Sequence, residues 1–379
     1  MAKKKKKIQI FIIFLIFILY FFIAARPIPR ETILAQRWIN SLPDTLVIDD
    51  GYGTPALDRY LPFTLGNYFG FVDYSGQFAL NRISDGEIYL SQNMWTEFSS
   101  QPSSIIINNV TENSKITIEN PRGYPVLLDN RIFILGSEQN SLSEIGNDGN
   151  ILWTYEFGAP LTSIDAAAGL VVTGSLDGAI EVFNSGGQRI FYFEPGGSSY
   201  NIILGCSISR DGSRIAVISG IEQQRFLLLE RFGNTGGEYR IVYHEFLETG
   251  FRRPVHVLFI DEDRRVVFER AGGISFYNIR SRHTMFIPLD GEIAAVDGLG
   301  SQGFFFIVTS GSSGEKALTG ISFPPERLFR RSAPANTVFM KAPFKSENVF
   351  LGRITGSEAG SMLVVGGGTT LISFNMEEK

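Results

Sequence analysis

Short apolar runs, separated by clusters of Gly, Asn, Asp and Ser, fill the chain from about Pro43 to its end. Such runs, bounded by turn residues, predict β-strands; an amphipathic helix would repeat its apolar positions every three to four residues over a longer stretch. The clearest group is Leu161–Asp165, Leu170–Thr173, Ala179–Phe183 and Arg189–Phe193. Its turns hold Asp177-Gly178 and Ser185-Gly186-Gly187, residue types that supply the positive φ angles of tight hairpins. Together the four runs make one antiparallel meander of about 36 residues.

The same layout recurs along the chain. Before it lie Val126–Leu128, Ile132–Leu135, Leu142–Ile145 and Ile151–Tyr155. After it come Ile202–Ile208, Arg214–Ile218, Arg225–Glu230 and Arg240–His244, then Val255–Ile260, Arg265–Phe268, Ile274–Tyr277 and Thr284–Ile287. Looser copies span Glu292 to Phe329 and Thr337 to Phe374, and one upstream copy joins Tyr68–Tyr74, Gln77–Ile83, Glu87–Leu90 and Trp95–Phe98. A period of about 36–53 residues with four strands per unit predicts an all-β propeller of about seven four-stranded antiparallel blades; six or eight also fit. The run at Thr45–Ile48 is expected to complete the last blade and close the ring. The longest insertions fall at Ser99–Arg122, Phe232–Glu238 and Ser310–Lys316. In the first, Ile105-Ile-Ile107 and Ile116-Thr-Ile118 alternate enough for an extra hairpin, either projecting from the ring or packed back on its own blade.

The N-terminus breaks this pattern. Lys3 to Lys7 give way to an apolar block, Ile8 to Ala25, in which Gln9 is the one strongly polar side chain. About 18 residues at about 1.5 Å each would make a helix of roughly 27 Å, enough to cross a hydrocarbon core. With the lysines held in the cytoplasm, the expectation is one N-terminal transmembrane helix and an inner-membrane, single-pass protein with its propeller on the periplasmic side of the cell envelope. A cleaved signal peptide has the same order of parts, and Ala24-Ala25 would be its exit; the length of the block favours the anchor. The expected domains are a basic head (1–7), the span (8–25), a juxtamembrane linker (26–44) and the propeller (45–379). Within the linker, Ile33, Leu34, Trp38 and Ile39 share one face of either a short interfacial helix or a plain connection.

Composition narrows the function classes. The whole chain carries −5, and setting the five head lysines aside leaves the remainder at about −10, with arginine outnumbering lysine. That balance argues against nucleic-acid binding, which needs a basic face. Forty glycines and 44% hydrophobic residues agree with an all-β chain rich in turns. One cysteine forms no internal disulfide, and Cys206 in the apolar run Ile202–Ile208 reads as a buried small hydrophobe.

Two stretches resemble known propeller families. Ile208-Ser-Arg-Asp-Gly-Ser-Arg-Ile-Ala-Val-Ile218 resembles the Asp-Gly turn between the two innermost strands of WD40-like propellers. Ile145-Gly-Asn-Asp-Gly-Asn-Ile-Leu-Trp153, and in looser form Phe183-Asn-Ser-Gly-Gly-Gln-Arg-Ile-Phe191, resembles the outer hairpin of quinoprotein-type, PQQ-like repeats. In those repeats a turn with Gly precedes an aromatic that packs between blades. The resemblance covers about residues 125–290 and implies the fold. Because propellers host scaffolds, receptors and enzymes alike, it implies little about activity.

No coherent catalytic constellation emerges. His244, His256 and His283 lack metal-ligand spacing and read as strand or turn histidines. Asp261-Glu262-Asp263 falls where Arg210-Asp211-Gly212 falls in the preceding unit, so a hairpin turn is expected over a calcium site. Asp49-Asp50 before Gly51-Tyr52-Gly53 has no complete ligand series after it. Gly366-Gly367-Gly368 lacks the Lys-Ser/Thr of a phosphate loop and reads as a hairpin turn. Arg252-Arg253 and Arg330-Arg331 lie near blade boundaries. No cofactor, metal or catalytic residue is assigned. The expected function is a membrane-tethered, non-enzymatic scaffold for a protein partner in the envelope; a ligand-binding or sensory propeller, or a PQQ-dependent dehydrogenase, is the alternative.

Overall fold

The computed structural model describes residues 13–15, 17–18, 32–43, 47–48, 60–99, 102–233, 238–248, 250–297, 303–323, 337–356 and 360–378. The chain divides into two compact units, Gln36–Asn375, and Met1–Ala35 together with Met376–Lys379.

Eight four-stranded antiparallel sheets form the blades. Blade 1 holds β2 (Val47–Ile48), β3 (Tyr60–Leu65), β4 (Tyr68–Asp73) and β5 (Phe78–Ile83), with β2 on the free edge of β5. Blade 2 runs β6 (Glu87–Leu90), β7 (Met94–Phe98), β8 (Ser104–Asn109) and β9 (Ser114–Glu119). Blade 3 runs β10 (Gly123–Leu128), β11 (Arg131–Gly136), β12 (Ser141–Ile145) and β13 (Ile151–Glu156). Blade 4 runs β14 (Leu161–Ala167), β15 (Leu170–Ser175), β16 (Ile180–Phe183) and β17 (Arg189–Phe193). Blade 5 runs β18 (Ile203–Ile208), β19 (Arg214–Ser219), β20 (Arg225–Phe232) and β21 (Glu238–Phe246). Blade 6 runs β22 (Val257–Ile260), β23 (Arg265–Arg270), β24 (Gly273–Asn278) and β25 (His283–Pro288). Blade 7 runs β26 (Glu292–Val296), β27 (Phe304–Ser310), β28 (Glu315–Ser322) and β29 (Thr337–Lys345). Blade 8 joins β30 (Val349–Gly356), β31 (Gly360–Gly367) and β32 (Thr370–Glu378) to β1 (Thr32–Ser41), its outermost strand.

The middle strands read as unbroken apolar runs because each blade is covered on both faces by its neighbours. β15 and β18 are buried along their whole length, and β19 along all but its first residue. Aromatic contacts mark the seams: Phe69–Trp95 between blades 1 and 2, Phe191–Tyr239 between 4 and 5, and Phe226 stacked on Phe268 at 4.4 Å between 5 and 6. Phe276–Phe305 joins blades 6 and 7, and Phe63–Phe350 joins 8 back to 1. Ile107 with Leu127, and Phe133 with Phe183, belong to the clusters between blades 2 and 3 and between 3 and 4. Each fully buried side chain of this size contributes about 1.5–3 kcal/mol relative to exposure. The remaining seam, between blades 7 and 8, carries an ion pair instead: Arg353 of β30 and Asp297, just after β26, both with no exposed side-chain surface.

Three expectations are corrected. The blade count is eight, not seven. The upstream unit read from Tyr68 to Phe98 combines β4 and β5 of blade 1 with β6 and β7 of blade 2, and the supposed insertion at Ser99–Arg122 supplies β8 and β9. At the other end, β29 closes blade 7 rather than opening a unit of its own. Ring closure is also reassigned: β2 pairs with β5 of blade 1 (Val47↔Asn81, Ile48↔Leu80), whereas β1 completes blade 8. So the stretch read as linker or interfacial helix is a strand from Thr32 onward.

The third correction concerns the membrane. Among the described residues no helix is long and apolar enough to cross one, so the transmembrane helix and the single-pass, inner-membrane placement are not supported. Within Ile8–Ala25 the described helical residues are Ile13–Leu15 and Phe17–Ile18; the other residues of that block lie outside the described set. Hydropathy and length suggested the span; crossing needs about 20 continuous helical residues, more than the described residues of this block supply.

Candidate functional site

The third-to-fourth-strand turns dock blades onto their neighbours. In blade 4 the turn Asn184–Gln188 places Gly187 at φ 73°, where an added Cβ would lie 2.4 Å from Cγ of Trp153 in β13 of blade 3. Only glycine allows that approach. The Trp153 indole N–H donates to Glu144 Oε2 at 2.6 Å, and its ring stacks on Phe183 at 6.1 Å between centroids. Glu144, buried in β12, is also gripped by Arg131, with Nε at 2.8 Å and an NH2 group at 2.5 Å. A different turn of blade 1, between its second and third strands β4 and β5, also docks on a neighbour: Gly76 (φ 89°) abuts Trp38 of β1, whose indole donates to the Tyr74 carbonyl at 3.2 Å.

Along the axis, β6, β10, β14, β18 and β22 lie side by side. Between β14 and β18, Asp165 Oδ2 accepts from the Ser207 hydroxyl at 2.8 Å and from the Ile208 N–H at 2.9 Å. Burial pushes the Asp165 carboxyl above its ordinary 3.8, and those two hydrogen bonds pull it part of the way back. Ser163 Oγ accepts from the Cys206 N–H at 2.9 Å, and the Cys206 thiol donates to it at 3.3 Å. Burial pushes that thiol up to about 12, so Cys206 stays protonated and packs as a small hydrophobe.

The structure scatters the residues that the sequence singled out. His244, His256 and His283 are exposed, on β21, before β22 and on β25. Among the described residues no group of three His, Cys, Asp or Glu side chains is placed to hold a metal. Asp261-Glu262-Asp263 is the β22–β23 hairpin turn, with all three residues at positive φ (56°, 54° and 60°). Asp261 is buried against Arg264 at 2.6 Å and against Arg265, while Asp263 accepts the Arg210 N–H of blade 5 at 2.9 Å. Gly366-Gly367-Gly368 ends β31 and forms its turn into β32, with Gly368 at φ 61°. Arg253 pairs with Glu269 at 2.7 Å and covers the Phe251 ring at 4.4 Å; Arg252 is exposed. Asp49-Asp50, Gly51-Tyr52-Gly53 and Arg330-Arg331 lie outside the described residues.

Sequence reasoning missed the outer rim. Ile151 and Leu152 on β13, Tyr192 on β17, Ile241 and Phe246 on β21, Phe286 on β25 and Val338 on β29 are all exposed. Those strands are the outermost of blades 3 to 7. A cavity of ≈ 480 Å³ opens beside Leu152, over the Arg131–Glu144 pair, with Asn147 and Asp148 at its rim. A second, of ≈ 350 Å³, lies among Phe63, Tyr89, Leu90 and Phe350. The only sequence signal for the rim was apolar excess in fourth strands, which does not tell a buried face from a bare one.

Comparisons with known proteins agree with this architecture. An uncharacterized protein of Treponema pallidum (strain Nichols) is 27% identical over 314 residues, covering 81% of each chain. The crystal structure of BamB from Moraxella catarrhalis superposes with a TM-score of 0.55 at 10% identity, over 90% of this chain and all of that one. The computationally designed Ika8 protein gives 0.55 at 12% identity, over 88% and 96%. At such identities the structural likeness shows the fold alone, and these comparisons do not separate WD40-like from PQQ-like repeats. A family model for a beta-propeller protein matches residues 1–364, and the chain belongs to that β-propeller family.

Proposed function

We propose that this propeller is a non-enzymatic scaffold that binds protein partners along its rim. The observation that carries this reading is the row of large apolar side chains left exposed on the outermost strands of five consecutive blades. Scattered exposed hydrophobes are ordinary, but a series held on a rigid ring resembles the aromatic and aliphatic anchors of interfaces. The fold likeness to BamB is compatible with a binding role. The repeats themselves are read as quinoprotein-type, supported by the packing of Trp153 on Gly187 in the outer hairpin of the next blade.

Photo-crosslinking amino acids placed at Tyr192, Ile241 and Phe286 in the natural host test the proposal. Discrete adducts to one protein are the expected result. The reading fails if no position yields an adduct, or if the purified chain binds a quinone cofactor and reduces a dye with an alcohol. The apolar cavity at Phe63, Tyr89 and Phe350 favours small-ligand binding as the second reading.

A further inference from the structure

We infer that the free edge of β13 is a docking site for an extended segment of a partner protein, which adds to blade 3 as a fifth strand. The segment places an apolar side chain in the cavity beside Leu152 and a lysine or arginine against Asp148. This inference rests on the scaffold reading and names the surface and the partner's chemistry.

Edge strands template further pairing unless they are blunted by charge, proline or shortness. Nearly every outermost strand of this ring is blunted. β9 carries Lys115, β17 Arg189, β21 Glu238 and Arg240, β25 Pro288, β29 Lys341 and Pro343, and β1 Arg37, while β2 is two residues long. β13 reads Ile-Leu-Trp-Thr-Tyr-Glu: it has no Lys, Arg or Pro, and its one charge, Glu156, is its last residue, at the opposite end from Ile151 and Leu152. Its first two side chains are the barest of the pairs on the rim, Ile151 63% and Leu152 60% exposed. A bulge leaves Leu152 as the extra residue between the pairs Ile145↔Ile151 and Glu144↔Trp153, which re-aims its side chain.

The cavity next to this edge suits one anchoring side chain. Ile132, Ile145 and Leu152 give it apolar walls, and its charged floor is internally neutralised by Arg131 on Glu144. Asp148 at the rim is different. Its carboxylate accepts the Asn150 N–H at 3.0 Å and side-chain amide at 2.8 Å, and has no ion pair among the described residues. Those hydrogen bonds hold its carboxyl below the ordinary range, so a full negative charge faces solvent beside an apolar pocket. Backbone pairing supplies affinity in strand addition, and pockets for particular side chains supply specificity. The complement is an extended peptide with an aliphatic or aromatic residue next to a basic one.

Panning phage-displayed random heptapeptides on the immobilised full-length protein, counter-selected with Leu152→Lys, tests this. Enriched peptides should share an apolar–basic pair, bind the wild type by fluorescence anisotropy, and lose about tenfold or more with Leu152→Lys or Ile151→Lys. Asp148→Asn should weaken them by a smaller factor that shrinks with added salt. Hydrogen exchange should show new protection at Ile151–Glu156. Both apolar positions are exposed, and unchanged melting temperatures will confirm that the variants fold. Peptides that bind Leu152→Lys equally well, that protect a different strand, or that are never enriched overturn the inference. If the crosslinked partner from the natural host is retained by Leu152→Lys at wild-type yield, this site falls while the scaffold reading stands.

Discussion

Trp38 of the N-terminal strand packs on Gly76 of blade 1, as Trp153 packs on Gly187 one blade further from its own. A Cβ at Gly76 would lie 2.9 Å from Trp38 Cδ2, and Asn40 Nδ2 donates to the Gly76 carbonyl at 2.5 Å. The Trp38 N–H donates to Ser373 Oγ at 3.1 Å, a residue 335 positions away. One residue thus joins the first part of the ring to the last, its backbone N–H on blade 8 and its indole on blade 1. Ring proteins depend on that junction because each blade can bury its faces only against two neighbours.

Trp38→Ala is expected to lower stability by about 3 kcal/mol, in the range of large aromatic truncations. Trp38→Phe should recover part of the loss, because it keeps the ring on Gly76 but not the indole hydrogen bond to Tyr74. Denaturant unfolding measures both. A Trp38→Ala variant with an unchanged midpoint would show that β1 does not hold the ring closed.

Gly212 sits at φ 69° in the β18–β19 turn, and its ideal Cβ falls 3.0 Å from Leu170 of blade 4. Gly212→Val adds backbone strain to that contact and should cost about 1–3 kcal/mol. Asp211→Ala should cost less: its carboxylate accepts from Ser209 and Ser213 in the same exposed turn, and local hydrogen bonds of this kind contribute about 1 kcal/mol. Equal melting temperatures for the two variants would contradict the turn assignment.

The inner strands were legible because burial on both faces makes them continuous apolar runs, as at β15, β18 and β19. Turn glycines were legible for a related reason: Gly178, Gly187 and Gly212 all have positive φ. Ring closure was not legible. β1 pairs with a strand more than 300 residues later, and nothing local in Thr32–Ser41 marks that partner. Blade boundaries slipped at both ends, since a hairpin pattern does not say which sheet its strands join. The rim site was hidden too: Ile151 and Leu152 look like any strand interior until topology places β13 at an edge.

Arg353 and Asp297 should behave as a unit. Arg353 Nε lies 3.1 Å from Asp297 Oδ2, and its NH1 donates to Ser361 Oγ at 3.2 Å. Removing one partner strands a buried charge, so Arg353→Met or Asp297→Leu alone should cost about 3–5 kcal/mol. The double variant should be far milder than the sum of the two, and a double-mutant cycle reads the coupling directly. Strict additivity would mean that the pair contributes nothing as a pair.

Asp165 gives a pH signature with a definite sign. Its carboxyl is raised above 3.8 by burial, so the folded state binds its proton more tightly than the unfolded chain does. Stability from this group is therefore greatest at low pH and falls as pH rises from about 3.8 through the raised folded value. Asp148 and Asp211 are held low, and their windows lie below 3.8, with loss as pH falls. Asp165→Asn keeps an acceptor oxygen for Ser207 and Ile208 and should remove only the Asp165 slope. The test is the difference in unfolding free energy between wild type and variant, followed upward from pH 4; a flat difference would refute the assignment.

Deleting Ser103 to Glu119 would have been harmless had the segment been a projecting loop. It is instead the outer half of blade 2. Ile105 is 1% exposed, Ile107 0% and Ile118 4%, all packed with Leu127, Ile132 and Ile134 of blade 3. At about 1.5–3 kcal/mol each, these three side chains alone account for roughly 5–9 kcal/mol, comparable to the whole stability of many domains. The deletion would also strip β7 of its neighbour and bare that face of blade 3. The expected result is loss of near-UV circular dichroism and of a cooperative transition. Ile106→Ser, on the same strand but 45% exposed, should stay within about 0.5 kcal/mol of wild type. A deletion variant that unfolds cooperatively near the wild-type midpoint would show that blade 2 does not need β8 and β9.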